Sequence, residues 1–336
     1  YTCDNIPAFG VELAVQIWVA DGGTDDNCNG QISWGERNKD FCTTTIVILD
    51  NTGVCSDTTG SVLGEIITED VQSVELVNVS LNVPGQHFPT YVTTENGRYN
   101  FAHVIIPQQF TIEAKRNDNH KNGVNTLDLI EIQKHLFGIK ALSSPYDIIA
   151  ADANNSGSIS AVDLVELRRL ILGIYNELPS NQSWRFVNKS FDFADESNPW
   201  PFEEVISMDA MMGGVAADKD FVAIKVGDVN NTVQANARQV LPRNGGKTVT
   251  FTAEDREVSA GELVSLTVSS ADFTGIEGYQ FTLELNGVAF RGVASGAVKM
   301  TEEHLGVFDG KITASWNDAS GKAVSAGTSE ALFTLQ

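Results

Sequence analysis

Asp152-Ala153-Asn154-Asn155-Ser156-Gly157-Ser158-Ile159-Ser160-Ala161-Val162-Asp163 runs directly into Leu164-Val165-Glu166-Leu167-Arg168-Arg169-Leu170-Ile171-Leu172-Gly173-Ile174. The first half is rich in oxygen-bearing side chains and turns at Gly157. The second half is apolar at helical spacing, with Leu164, Leu167 and Ile171 at i, i+3 and i+7. The pattern has a partner 35 residues earlier (163 minus 128): Asp128-Leu129-Ile130-Glu131-Ile132-Gln133-Lys134-His135-Leu136-Phe137-Gly138-Ile139. Leu129, Ile132 and Leu136 take the same helical places, and Gly138 and Gly173 fit C-terminal helix stops. A repeat of this length is one supersecondary unit used twice.

The loop before each helix carries the chemistry. On a 12-residue calcium-loop template, the second loop places oxygens at positions 1, 3, 5, 7, 9 and 12. They belong to Asp152, Asn154, Ser156, the Ser158 carbonyl, Ser160 and Asp163. Gly157 falls at position 6, where the backbone needs φ > 0, and Ile159 at position 8 is expected to meet the other loop. An Asx-rich turn capping a helix would use some of these residues. Calcium is the preferred reading because spacing, glycine and hydrophobic position agree, and a hard cation needs many oxygens in a flexible cage. The first loop is degenerate. Asn117, Asn119, Asn125 and Asp128 fall at positions 1, 3, 9 and 12, Lys121 at position 5 cannot ligate when charged, and Asn122 stands at position 6. Asp118 is available to compensate. This loop reads either as a calcium site or as a loop held by hydrogen bonds alone.

The remaining chain alternates with period two, as strands do. Four segments are expected. Residues 1–57 hold strands at Val11–Val19 and Phe41–Leu49, and residues 58–116 hold strands around Val62, Val79, Phe101 and Ile112. Residues 117–235 hold the loop–helix repeat and an extension, and residues 236–336 are β-rich, with strand cues at 258–268, 278–285, 310–316 and 332–335. In the extension, Trp184 and Phe186 are expected to fill a core. Asp228 either adds a calcium ligand or closes a turn, and the turn is the expected role. Four cysteines, Cys3, Cys28, Cys42 and Cys55, are confined to the first segment, with no C-x-x-C spacing. That favours disulfides in an oxidising compartment. Of three possible pairings, Cys3–Cys42 with Cys28–Cys55 is preferred.

The 336 residues carry 22 Lys+Arg against 44 Asp+Glu, a net charge of −22. Such a chain repels phosphate backbones and anionic lipid, so nucleic acid is not an expected partner. No stretch approaches the length of a membrane span, and both ends read as cut from a longer chain. No G-x-S-x-G, H-E-x-x-H, P-loop or G-x-G-x-x-G is present, and the five histidines are scattered. An enzyme is not expected.

The paired loop–helix units at about 117–175 resemble a type I dockerin, an EF-hand-like module that folds on calcium and docks a cohesin. The resemblance implies Ca2+ as cofactor, with the second loop's residues and Asp128 as ligands. Thr126-Leu127 and Ala161-Val162 stand where the family has a Ser-Thr pair, so its docking residues do not carry over. Residues 41–51 resemble the last strand of a hyalin-repeat Ig-like domain, and 58–116 a carboxypeptidase-regulatory-like, prealbumin-like sandwich. Residues 250–336 resemble a cohesin, through Phe273-Thr274-Gly275-Ile276-Glu277-Gly278-Tyr279 and Ala314-Ser315-Trp316-Asn317-Asp318. The expected fold is thus multidomain and mainly β, with tandem sandwiches flanking a small helical module. The combination resembles large cell-surface proteins of type IX-secreting gliding bacteria. It implies an extracellular structural or adhesive segment, with other copies or other surface modules as partners. Recruitment of a secreted hydrolase through dockerin and cohesin is an alternative. Carbohydrate binding through Trp34 or Trp200 is another.

Overall fold

A computed structural model describes residues 11–20, 39–48, 59–106, 108–209, 211, 214–236 and 248–336. The expected disulfides and Trp34 lie outside the described residues, apart from the backbone of Cys42.

The first described elements are β1 (Val11–Ala20) and β2 (Lys39–Ile48), an antiparallel pair in register from Val11↔Ile48 to Ala20↔Lys39. Next come β3 (Thr59–Ile67), β4 (Asn78–Val83), β5 (Gln86–His87), β6 (Tyr91–Val92), β7 (Arg98–Ile105) and β8 (Phe110–Lys115). The helices follow: α1 (Thr126–Leu136), α2 (Pro145–Ala151) and α3 (Ala161–Leu172). Then come β9 (Trp184–Asn188), β10 (Val205–Met208), β11 (Val215–Ala216) and β12 (Phe221–Lys225). The last group is β13 (Thr252–Ala253), β14 (Leu266–Ser269), β15 (Gly278–Glu284), β16 (Val293–Ser295), β17 (Leu305–Phe308), β18 (Lys311–Asn317) and β19 (Phe333–Leu335).

Strands from both sides of the helices build one sandwich. One sheet runs β10-β8-β4-β5, with β6 also on β4; the other runs β11-β3-β12-β9, with β7 also on β3. The sequence reading placed β9 to β12 in an extension of the helical module, with a boundary at 116/117. Instead β11 and β12 lie parallel to β3, and β10 is antiparallel to β8. Trp184, Phe186, Ile206, Phe221 and Ala223 share a core with Val62, Val79, Phe101 and Ile112. The helices are therefore an insertion between two halves of this sandwich. Trp184 and Phe186 are core residues, as their sequence setting suggested.

Period-two alternation then joins this sandwich to the helices. Along β12 every residue is buried. Phe221 and Ala223 enter the sandwich core, while Ile224, with Val187 of β9, enters the helical core beside Leu129, Ile132, Leu167 and Leu170. One strand pair thus serves two cores, one on each face.

The third unit repeats the arrangement. Sheets β13-β14-β19-β16 and β15-β18-β17 enclose a core around Phe273, Trp316 and Phe333. Val258 and Leu263 were expected to start a strand but are exposed, and the strand begins at Leu266. On β18, Ile312, Ala314 and Trp316 face this core, and Thr313, Ser315 and Asn317 meet the helices. The Thr126 N–H and hydroxyl both donate to Gln280 Oε1 (3.0 and 3.1 Å), and the hydroxyl lies 2.8 Å from Ser315 Oγ. Gln133 Nε2 donates to the Ala319 carbonyl at 2.9 Å, and Gln133 Oε1 accepts from Asn317 Nδ2 at 2.5 Å. Arg168 donates to Asn317 Oδ1, and Lys134 pairs with Glu277 at 2.8 Å. Close approach explains two glycines: a Cβ on Gly278 would lie 2.9 Å from Ile130 Cδ1, and one on Gly306 2.8 Å from the Leu172 carbonyl. Among the described residues, no helix is long and apolar enough to cross a membrane.

Candidate calcium-binding loops

The second loop is built by its own backbone. Asp152 Oδ1 accepts the Ser156 N–H and Oδ2 the Gly157 N–H, both at 2.8 Å. Asn155 (φ 57) and Gly157 (φ +75) take the left-handed turns that fold the chain back around Asp152. Ser156 Oγ donates to the Ser158 carbonyl at 3.1 Å. Ser160 caps α3, accepting the Val162 N–H, while Asp163 Oδ2 accepts the Ser160 N–H at 2.8 Å to close a capping box. Asp163 Oδ1 accepts the Asn154 N–H at 3.1 Å, which draws the loop's two ends together. These bonds tie position 1 to position 5, position 5 to position 7, and position 12 to positions 3 and 9.

The arrangement fits a hard cation. Asn154 Oδ1, at position 3, is buried and has no hydrogen-bond partner among the described residues. A buried amide oxygen without a partner costs free energy that an ion restores. Burial, with the nearby Asp163 carboxylate adding to it, pushes the Asp152 carboxyl above its usual range. A divalent cation between the two carboxylates would reverse that.

The rest of the chain braces this loop, which sequence spacing alone does not reveal. Asn181 Nδ2 donates to the Asp152 carbonyl at 2.8 Å, and Arg185 of β9 donates to Asn155 Oδ1 at 2.6 Å while pairing with Glu204. Trp200 is half-buried and packs 3.9 Å from where a Gly157 Cβ would stand.

The first loop departs from its sequence alignment. Asn117 Oδ1 accepts the Ser183 N–H at 2.8 Å, outside any loop interior. Asn119 sits in the left-handed region (φ 48), with its carbonyl accepting the Asn122 N–H. Asn122 exchanges hydrogen bonds with the Gln234 backbone, and Asp118 pairs with Arg116 at 2.7 Å. Only the second half keeps the pattern of the other loop. Asn125 caps α1, and Asp128 Oδ2 accepts the Asn125 N–H at 2.8 Å. Val124 and Ile159, at position 8 of the two loops, join the same helical core, and Gly138 (φ +66) and Gly173 (φ +83) end α1 and α3 as expected.

The geometry defines two loop–helix units, of which the second carries calcium-type ligand spacing through its whole loop. Residues 118–172 match the family model for the dockerin type I domain. No curated protein and no solved structure matches the chain. Type I dockerins are calcium-binding modules that interact with cohesin-type modules, so the matched segment places a dockerin-type unit inside a mainly β, multi-sheet chain.

Proposed function

We propose that this chain is a non-catalytic structural segment of a secreted, modular surface protein, held rigid by calcium and by docking within the chain. Calcium sits in the second loop, with Asp152, Asn154, Ser156, the Ser158 carbonyl, Ser160 and Asp163 as its ligands. The cohesin-like third unit covers the outer face of α1 and α3 in cis. The observation that carries the reading is the polar network between α1, α3 and β18. Thr126, Gln133, Ser315 and Asn317 are all buried there and all hydrogen-bonded across the boundary. Buried polar side chains whose hydrogen bonds cross the boundary specify one arrangement, because separating the two sides leaves them without partners. Calcium bound to the folded loop stabilises that arrangement by linkage.

Sedimentation velocity over a range of concentrations, in calcium and then in chelator, tests the proposal. The expected result is a compact monomer at every concentration in calcium and a more extended monomer in chelator. Calcium-dependent growth into oligomers would instead mean that the helix face docks the third unit of another copy, and that the segment polymerises.

A further inference from the structure

A second five-residue stretch, Asp228-Val229-Asn230-Asn231-Thr232, repeats the pattern of Asp152-Ala153-Asn154-Asn155-Ser156, the first half of the second loop. It follows β12 directly, so the sandwich carries it to the first loop. The bonds within the stretch match in turn. Asp228 Oδ1 accepts the Thr232 N–H at 3.0 Å and Oδ2 the Val233 N–H at 2.6 Å, as Asp152 does with Ser156 and Gly157. Asn231 is left-handed (φ 55), as Asn155 is. In the second loop the position-5 hydroxyl donates to the position-7 carbonyl. Here Thr232 Oγ1 donates to the Gly123 carbonyl at 3.0 Å, and Gly123 is position 7 of the first loop. Asp128 Oδ1 accepts the Val229 N–H at 3.0 Å, which closes the two pieces on each other one residue earlier than Asp163 does through the Asn154 N–H. Both side-chain polar atoms of Asn230 are buried without a partner among the described residues, the counterpart of Asn154.

We propose that these two pieces form a second calcium site, a loop split between distant parts of the chain. Asp228, Asn230 and Thr232 supply positions 1, 3 and 5. The Gly123 carbonyl, Asn125 and Asp128 supply positions 7, 9 and 12. The inference rests on the calcium reading of the second loop, whose geometry it copies. It also explains why the alignment of the first loop fails in its first half: Asn117, Asn119 and Lys121 have been replaced by a stretch more than 100 residues away. Burial of the Asp128 and Asp228 carboxyls, and their mutual repulsion at Asp128, push both above their usual range. Lys225 stands nearby as a competing counter-charge, but its ammonium donates to the His120 and Val226 carbonyls. An ion here would clasp the segment leaving β12 to the start of α1, tying the sandwich to the helices.

Calcium alone, titrated into the full 336-residue chain, provides the test, read by calorimetry and by native mass spectrometry. Two bound ions are expected. Asn230→Ala should lose one of them while leaving the melting temperature in chelator unchanged, because the Asn230 side chain makes no hydrogen bond among the described residues. Asn154→Ala should lose the other, and the double variant both. One ion in the unaltered chain, removed by Asn154→Ala alone, would overturn the split site and leave Lys225 as the balancing charge. Two ions that survive Asn230→Ala would overturn it as well. No ion at all would overturn the calcium reading of the second loop together with it.

Discussion

Asn317 shows how the docking of the third unit depends on single atoms. Its amide nitrogen donates to Gln133 and its oxygen accepts from Arg168, so one carboxamide joins α1 and α3 to β18. Truncating it leaves two buried groups without partners, and such groups cost ~1–3 kcal/mol each. Asn317→Ala and Gln133→Ala are therefore each expected to destabilise the chain by ~1–3 kcal/mol. Because both remove the same bond, the double variant should cost less than the sum of the singles, by ~0.5–3 kcal/mol. Urea denaturation of the four chains measures this. Strict additivity would mean that the two side chains do not act as a pair. The same residue-level logic separates the two amides of the calcium sites. Among the described residues the amide oxygens of Asn154 and Asn230 have no partner, so removing either should be felt only when calcium is present.

At the level of elements, the parts legible in the sequence are those whose information is local. The second dockerin-type unit writes its loop, cap, helix and glycine stop within about two dozen consecutive residues, the first unit only its cap, helix and stop, and α1 and α3 form where their apolar spacing put them. The short α2 was not anticipated, although Ser144 caps it and Pro145 opens it. The extension was grouped with the helical module, and its strands and their partners were not anticipated. β12 pairs in parallel with β3, and the Glu65 N–H meets the Asp220 carboxylate across 155 positions; no local pattern encodes such a pairing. The split site we propose is illegible for the same reason, since it sets Asp228 and Asn230 where the local alignment sets Asn117 and Asn119. A 3-10 turn at Glu302–His304 adds a pH-sensitive contact beside α3. Burial, reinforced by the Arg168 charge, lowers the His304 pKa to about 4, and its Nδ1 accepts the Thr301 N–H at 3.1 Å, while the Glu303 charge acts weakly the other way. The folded pKa lies below the ordinary value of about 6.5. The contribution of this group to stability is therefore complete above about pH 6.5 and is lost as pH falls toward 4. Melting curves between pH 7.5 and 4.5 should show a smaller acid-side decline for His304→Gln than for the unaltered chain. Equal declines would place the acid sensitivity elsewhere, in the carboxylates.

At the scale of the whole molecule, shared strands decide what can fold alone. The sandwich of residues 59–115 looks self-contained in sequence, yet β9, β10, β11 and β12 enter its sheets from beyond the helices. A chain ending at residue 175 would keep the dockerin-type match but lose Trp184, Phe186, Ile206 and Phe221 from that core. Each large apolar side chain contributes ~1.5–3 kcal/mol by burial, so the four together contribute roughly 6–12 kcal/mol. That is comparable with the whole stability of a typical domain, ~5–15 kcal/mol. The helical core would lose Val187, Ile224, Val226 and Val229 in the same cut, along with Asp228 and Asn230 of the split site. The shortened chain is therefore expected to lack a cooperative thermal transition and to bind calcium only weakly at the second loop. By contrast, a chain ending at residue 236 keeps both shared cores and should melt cooperatively, with a gain in stability when calcium is added. Calorimetric melting of the two shortened chains, with and without calcium, checks this. A cooperative transition in the shorter chain would mean that the strands after the helices decorate the sandwich rather than complete it.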